Sequence, residues 1–448
     1  MFENAHRRRN FANPCTSREQ IGVGPYMSGN MQETIITNVA LWRGKNAEIE
    51  PNMSIRVRGD RIADVAPAGD LQPSVNEKVV DGQGTTAIPG MIDAHVHLTT
   101  NSDYSKVVDN SMYRALVPGT EKLLHGVRNG LRALAAGFTT LRVMGHRESG
   151  DVELASMIDR GLLPGPRLLV APWVISMTGG RGDLFYPAAL PRQPLDTADG
   201  VEECRKLVRL QRKLGAGFIK VTASAGYLSA DDKVHWPNYT VDELKVIVSE
   251  AHDYDLKVAA HAHSPEGIKR ALLAGVDTIE HGTNITDELI QMMVDQGAYL
   301  VPTLAIGDSI ARRGSKSGVP AQGLEKMQGD NDSSGQYVRR AKDAGVKIVM
   351  GTDSSGNLCE FGEHARELEL YVKLGMSPAE ALLTTTSVAA EALGMEDEIG
   401  TVETGKYADI VLVNGNPLND IGLLNREGGL RAVFKSGIDV TNPWPAIF

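Results

Sequence analysis

The distribution of apolar residues divides the chain into two β-rich ends and a middle that alternates between strand and helix. From Thr34, and again from Asp409, short apolar and β-branched stretches are separated by Gly, Asn, Asp and Pro, which predicts short strands joined by turns. In between, eight short apolar runs are each followed by a segment that mostly has helical spacing. The runs are Ala87–His97, Thr139–Met144, Arg167–Ala171, Phe218–Val221, Val258–His263, Thr278–His281, Tyr299–Pro302 and Lys347–Gly351.

This eightfold alternation predicts an α/β protein built around a (β/α)8 barrel of the TIM type. We expect the barrel to span residues 87–395, and residues 30–86 and 396–448 to form a small composite β-sandwich domain. Residues 1–29 are expected to be a mobile leader. In such a barrel the residues at the carboxyl ends of the strands form the functional site.

Two local patterns refine this prediction. The segment Thr240–Asp253 has helical spacing, and Thr240 is followed three residues later by Glu243, which is the pattern of a capping box. The segment Asp308–Gln336 is polar and rich in Gly and Ser, so we expect a mobile loop there.

Composition argues against several classes of function. The chain of 448 residues carries a formal net charge of −10 and only 5% aromatic residues, which argues against a nucleic-acid partner. No apolar run approaches the roughly 18 residues of a membrane helix, so we expect no membrane partner. Cys15, Cys204 and Cys359 are far apart and predict reduced thiols in a cytoplasmic protein. Arg7–Arg9 is followed by polar residues where an export signal would be apolar.

Residues that could bind a metal ion lie at the ends of several predicted strands. Residues two apart in a strand share a face, so His95 and His97 are expected to converge. Such a pair alone also fits exposed or core histidines, but the same kind of residue recurs at other strand ends, as His261, His263, His281 and Asp353. Imidazoles with a carboxylate suit a zinc-like divalent ion that keeps open positions for water.

Lys220 ends the fourth run and does not fit a simple ligand set. One interpretation is a lysine that forms a salt bridge or extends its amine toward water. The other is that nearby cations favour the neutral amine, which can react with carbon dioxide to give an anionic carbamate. A carbamate has two oxygens and could contact two metal ions.

Together these motifs resemble the amidohydrolase superfamily, in its imidazolonepropionase-like branch, which includes Xaa-Pro dipeptidases and ochratoxin-type amidohydrolases. The resemblance covers about residues 32–440. The matching stretches are Pro89–His97, Gly137–Arg142, Ile175–Gly180, Phe218–Lys220, Ala259–His263, Ile279–Gly282, Gly351–Ser354 and Glu403–Ile410.

The resemblance implies a site with two divalent metal ions, usually Zn²⁺. His95 and His97 would hold the first ion with Asp353, His261 and His281 would hold the second, and Lys220, carboxylated on its side-chain nitrogen, would bridge them. His263 shares the face of His261, and we expect it on the substrate side rather than behind the metal ligands. The branch is often assembled into homo-oligomers, which we also expect here.

Two positions depart from the family pattern. Val143 stands where an Asp is common, and Arg181 stands where a His is common, before Gly182-Asp183. Arg181 could favour an anionic substrate, or it could form a structural ion pair with Asp183. Tyr227 is a candidate substrate or oxyanion contact, or it could simply pack in its loop.

These residues predict metal-assisted hydrolysis of an amide bond in a small N-acyl amino acid, dipeptide or related amide. A water that bridges two ions has a pKa near 7 and provides hydroxide at neutral pH, and Asp353 would move the proton to the leaving nitrogen. One alternative is hydrolysis of a urea, a carbamate or an aryl-amide xenobiotic. A mononuclear deaminase would leave Lys220 without a role as a ligand. An alternative of another class is a catalytically silent metal-binding assembly subunit.

Overall fold

The computed structural model describes residues 33–100, 117–145, 150–183, 197–228, 233–317, 319, 321–328, 335–356 and 358–442. The leader predicted over residues 1–29 lies outside these ranges, as does Cys15. Cys204 and Cys359 are buried free thiols, as predicted. No helix in the described ranges has the length and apolar character that crossing a membrane requires.

Both ends of the chain contribute to one composite β domain. Its N-terminal strands are β1 (Thr34–Leu41), β2 (Glu50–Arg58), β3 (Arg61–Pro67), β4 (Lys78–Asp81) and β5 (Thr85–Pro89), and its C-terminal strands are β14 (Ile410–Asn414), β15 (Leu430–Lys435) and β16 (Ile438–Asp439). The order across the sheet is β16-β15-β14-β5-β1-β2-β3, and β4 pairs with β1. Alternate apolar side chains from both chain segments, including Ile55 and Leu412, enclose a shared core.

The first predicted run belongs to two sheets. Strand β5 crosses the predicted boundary between residues 86 and 87 and pairs antiparallel with β14, with Ala87 opposite Leu412. After Gly90 the chain enters the barrel as β6. A side chain at Gly90 would lie 2.2 Å from Thr139 Oγ1, so glycine is needed where the chain passes from one sheet to the other.

The barrel strands follow the predicted runs. They are β6 (Met91–Val96), β7 (Phe138–Val143), β8 (Arg167–Val170), β9 (Val174–Ile175), β10 (Ile219–Thr222), β11 (Val258–Ala262), β12 (Thr278–His281) and β13 (Tyr299–Val301). All neighbouring pairs are parallel. The third run, Arg167–Ala171, forms β8, which pairs with β7, and β9 follows just beyond the run and pairs with β10.

The eighth run, Lys347–Gly351, and the residues just after it join the seventh strand to the first. On one side the Val349 amide donates to the Leu300 carbonyl over 2.9 Å. On the other side the Ala94 amide donates to the Met350 carbonyl over 3.0 Å, and the Asp353 amide donates to the His95 carbonyl over 2.8 Å. The parallel strands therefore form a (β/α)8 barrel, as the sequence predicted.

Helices connect and surround the strands. They are α1 (Gly119–Ala135), α2 (Gly150–Asp159), α3 (Gly200–Lys213), α4 (Val241–His252), α5 (Pro265–Ala274), α6 (Asp287–Gln296), α7 (Leu304–Arg313), α8 (Ala321–Gln328), α9 (Gln336–Asp343), α10 (Arg366–Lys373), α11 (Pro378–Thr384) and α12 (Ser387–Leu393), with 3-10 turns at Gly314–Ser317 and Ile421–Asn425. Thr240 and Glu243 form the predicted capping box at the start of α4. The prediction of a loop over Asp308–Gln336 is wrong for the described part of that segment, because most of α7 and all of α8 lie there.

Candidate active site

A cavity of about 860 Å³ opens at the carboxyl ends of the barrel strands. All nine residues predicted for the site line it: His95, His97, Arg181, Lys220, Tyr227, His261, His263, His281 and Asp353. They come from the first, fourth, fifth, sixth and eighth strand segments and from the loops that follow the third and fourth. The parallel barrel brings these distant parts of the chain together because every strand ends at the same rim.

The first group of potential ligands lies between β6 and the eighth segment. Asp353 Oδ1 is 3.4 Å from His97 Nε2 and 3.6 Å from His95 Nε2. Ligand atoms of His95, His281 and Asp353 all lie within 4.8 Å of one another. These distances would allow a single cation to contact several of these groups.

The second group comes from β11 and β12. Ligand atoms of His261, His263 and His281 lie within 4.8 Å of one another, so His281 belongs to both groups. The rings of His263 and His281 stack at 13° with centroids 4.6 Å apart. His261 Nε2 is buried and has no hydrogen-bond partner among the described residues, which is the state of a nitrogen available to a cation.

Burial keeps these imidazoles neutral. It lowers the pKa of His95, His261 and His281 well below the usual value, and it lowers the pKa of His263 to about 3. A histidine with a lowered pKa loses its proton below neutral pH, so a ring nitrogen keeps its lone pair at pH 7. Only the neutral ring can bind a metal ion.

The backbone turns two adjacent residues toward the site. In a regular strand Glu280 and His281 would point to opposite faces. His281, however, ends β12 with a φ of 69°, in the left-handed region, and both side chains reach the interior. Asp353 has a φ of 56°, and neither residue is glycine. Such conformations are costly and are often found at functional sites.

A buried ion pair that sequence reasoning missed orients His95. Glu280 Oε2 is hydrogen-bonded to His95 Nδ1 over 2.6 Å, and Glu280 Oε1 accepts a hydrogen bond from Arg142 Nη2 over 2.8 Å. Arg142 Nε also donates to the Ala94 carbonyl over 2.6 Å. A proton on Nδ1 would leave His95 Nε2 facing the cavity with its lone pair. Both charged residues lie in stretches that match the family, but the sequence does not show that they pair.

A second missed network supports the segment around Asp353. The carboxylate of Asp93 accepts the His95 amide over 3.0 Å and the Thr352 amide over 3.1 Å. It also binds His364 Nδ1 over 2.7 Å. Asp93 and His364 are fully buried. This carboxylate therefore ties the first strand to the eighth directly behind the two groups of ligands.

The Glu280–Arg142 pair yields a stability prediction. Glu280→Gln should lower the free energy of unfolding of the metal-free protein by about 3–5 kcal/mol, because it leaves the buried Arg142 charge uncompensated. Urea denaturation measures this change. Glu266→Gln removes a half-exposed carboxylate that pairs with Arg270, and it should cost less than about 1 kcal/mol. Equal effects of the two substitutions would show that the buried pair has no special role.

Lys220 lies among these groups without a partner. Its side chain is buried on β10, and Nζ has no hydrogen-bond partner among the described residues. Burial lowers the pKa of Lys220 to about 8, so about a tenth of the amine is neutral at pH 7. An unpartnered buried amine is unusual, and it does not match the salt-bridge interpretation of this residue.

The predicted substrate contacts lie beside the imidazoles. The ring of Tyr227 packs edge-on against His263 with centroids 4.8 Å apart, and Asn284 Nδ2 donates to the Tyr227 hydroxyl over 3.2 Å. A Cβ at Gly226 would lie 2.4 Å from Arg181 Nε and 3.2 Å from His261 Nε2. Glycine at this position therefore lets the Arg181 guanidinium lie close to His261.

Imidazoles and a carboxylate gathered at the strand ends of a parallel α/β barrel are typical of barrel hydrolases. The profile of the amidohydrolase family matches residues 86–438. This chain belongs to the amidohydrolase family, and it is an enzyme that hydrolyses amides.

Known relatives agree with this assignment. The ochratoxinase of Aspergillus niger is 32% identical over 368 residues, which are 78% of this chain and 74% of that protein. A solved structure of a Xaa-Pro dipeptidase with bound methionine is 30% identical with a TM-score of 0.81, and the match covers 91% of this chain and 99% of that one. A prolidase solved with N-methylphosphonate-L-proline is 29% identical with a TM-score of 0.82 and the same coverage.

Proposed function

We propose that this chain is a binuclear metal-dependent hydrolase that cleaves the amide bond of a small N-acyl amino acid, dipeptide or related amide. One observation carries the proposal. Two groups of three ligand residues, all buried except the partly exposed Asp353, share His281 in one cavity, and the ligand atoms of each group lie within 4.8 Å of one another. Neutral imidazoles and a carboxylate are the donors that a divalent zinc-like ion accepts.

The residues fit two ions. His95 and His97 with Asp353 would hold one, and His261 and His281 would hold the other, most readily as Zn²⁺. Lys220 would carry a carbamate whose two oxygens face the two ions, and its unpartnered buried Nζ supports this role. When bound, the ions would lower the pKa of a shared water to about 7 and polarise the substrate carbonyl.

The remaining chemistry comes from side chains. Asp353 would accept the proton of the attacking water and return it to the leaving nitrogen, acting first as base and then as acid. His263 and Tyr227, which pack against each other, would contact the carbonyl oxygen or the substrate. Arg181 would pair with a substrate carboxylate, which favours amides of amino acids.

The named relatives support amides as substrates. Ochratoxinase and the Xaa-Pro dipeptidase are among the proteins similar to this chain, and the second was solved with an amino acid in its active site. Ureas, carbamates and aryl amides would use the same groups, and only the shape of the pocket would differ. A catalytically silent metal-binding subunit would retain the ligands without turnover.

A panel of N-acyl amino acids, dipeptides, ureas and carbamates tests the proposal, together with metal analysis of the purified protein. We expect about two metal ions per chain, hydrolysis of at least one amino acid amide, and loss of activity on chelation. Two ions per chain with no hydrolysis of any compound would favour the silent subunit. Activity that survives complete removal of metal would refute the mechanism. The cytoplasmic compartment and the homo-oligomer remain predictions from the sequence.

A further inference from the structure

The cavity continues from the ligand residues to a wall of mainly apolar side chains, and Asp308, Ser315 and Lys373 also line the cavity. Ile306, Ile310, Leu324, Met327 and Leu358 line this part, which we call the apolar lobe. The same side chains belong to, or pack against, a small hydrophobic cluster separate from the barrel core. The whole cavity, at about 860 Å³, is near the upper end of the roughly 300–1,000 Å³ that pockets for drug-sized ligands occupy.

Two helices between the seventh and eighth strand segments build the apolar lobe. On α7, Ile306 and Ile310 are four residues apart and lie on one face, and on α8 Leu324 and Met327 are three apart. A Cβ at Gly323 would lie 2.9 Å from the Tyr227 carbonyl oxygen, so glycine lets α8 lie directly on the Tyr227 loop. The lobe therefore adjoins the edge of the site that Tyr227 forms beside His263.

The position of α7 is fixed against a residue of the site. Thr303 precedes α7 in the left-handed region, with a φ of 54°, and its Oγ1 lies 2.7 Å from His281 Nδ1. The buried Glu367 carboxylate accepts the Leu304 amide over 2.9 Å and the Ala305 amide over 2.5 Å. These bonds satisfy the first free amides of the helix and anchor the start of α7 beside His281.

Gly307 is the residue that leaves the lobe open. It lines the cavity within α7, and a Cβ built on it meets no atom within 4 Å. Glycine inside a helix costs about 0.5–1 kcal/mol relative to alanine, and no close packing at this position requires it. The space that Gly307 leaves faces the cavity and continues the surface of Ile306 and Ile310.

We propose that the apolar lobe binds a long aliphatic or bulky aromatic acyl group of the substrate and that Gly307 determines how large this group can be. This inference rests on the proposed function. A carboxylate would lose its hydration in the lobe, so the amino acid half stays near Arg181 and the acyl half occupies the lobe. Short acyl groups do not reach the lobe wall, so the wall stays in contact with water and adds nothing to the binding of such substrates.

A series of N-acyl-alanines with acyl chains from acetyl to octanoyl tests the first part. In the wild-type enzyme kcat/KM should rise about fourfold for each methylene that enters the lobe. A matching series with a constant acetyl group and a growing amino acid side chain should show a much smaller rise. A flat acyl series, or a rise confined to the side-chain series, would overturn the assignment of the lobe.

Gly307→Phe tests the second part, because the added ring would occupy the lobe. The ratio of kcat/KM for octanoyl-alanine to that for acetyl-alanine should fall at least about a hundredfold relative to wild type. Gly69→Phe is the matched control, since Gly69 is exposed in the β domain and its Cβ would also meet nothing within 4 Å. The ratio should stay unchanged in this control, and an unchanged ratio in Gly307→Phe would overturn the role of Gly307.

Calorimetry with octanoate and acetate separates this inference from the proposed function. Octanoate should bind the wild-type protein more tightly than acetate, and Gly307→Phe should abolish the difference. If the wild type hydrolyses no amide but shows this binding, the proposed function fails and the lobe stands. If amides are hydrolysed but octanoate has no advantage in either assay, the lobe fails and the proposed function stands.

Discussion

Lys220→Ala should lose both metal ions and at least about a thousandfold of the amide-hydrolysing activity. The proposed carbamate supplies an oxygen to each ion, and alanine removes both oxygens and their negative charge. Partial activity should return when a short carboxylic acid such as propionate is supplied, because its carboxylate fits the space that the side chain leaves. Metal analysis and kcat/KM with and without propionate measure these effects.

Two further variants show whether the loss of activity comes from misfolding. Lys220→Met keeps the length of the side chain without the amine, and the metal-free variant should unfold at the same temperature as the metal-free wild type or higher, because a buried unpartnered amine has been removed. Lys257→Ala removes a half-exposed lysine and should retain metal and activity. If Lys220→Ala retains both ions at full occupancy, the bridging carbamate is wrong.

Asp353→Asn should abolish turnover and leave the fold intact. The amide keeps the shape of the side chain, but it can neither accept the proton from water nor return it to the leaving nitrogen. General acid–base catalysis contributes about 10²–10⁴ in rate, so we expect kcat to fall by at least that range. Steady-state kinetics measure the loss, and thermal unfolding of the metal-free protein verifies the fold.

The control for this prediction is Asp295→Asn, on the surface of α6, where the carboxylate accepts a hydrogen bond from Gln291. It should leave kcat within about threefold of wild type. A rate close to wild type in Asp353→Asn would refute the proton-transfer role. Weakened metal binding with a normal rate at saturating zinc would leave Asp353 as a ligand only.

The barrel and the residues of its rim were predictable because they follow simple periodic rules. Each short apolar run forms a strand, and parallel strands of a barrel place their last residues at one rim. His95, Lys220, His261 and Asp353 lie at or just after the ends of such runs, so they were expected in one place before any distance was known. The order of the strands did not have to be guessed, since consecutive strands of such a barrel are neighbours.

The contacts behind the site were not predictable. Strand alternation would place Glu280 and His281 on opposite faces, and only the positive φ of His281 brings both inward. The pairing of Arg142 with Glu280 joins residues 138 positions apart, and a single sequence carries no signal for it. Helices α7 and α8 were missed because the Gly and Ser residues of the predicted loop, most of which lie outside these helices, dominated the composition of the segment, whereas α8 itself consists mostly of good helix formers.

Anomalous X-ray diffraction at the zinc absorption edge, from crystals of the zinc-loaded protein, tests the central claim most directly. We expect two peaks about 3.5–4 Å apart, one in contact with His95, His97 and Asp353 and the other in contact with His261 and His281, with carbamate density on Lys220 between them. A single peak, or peaks too far from these side chains to be coordinated by them, would contradict the account.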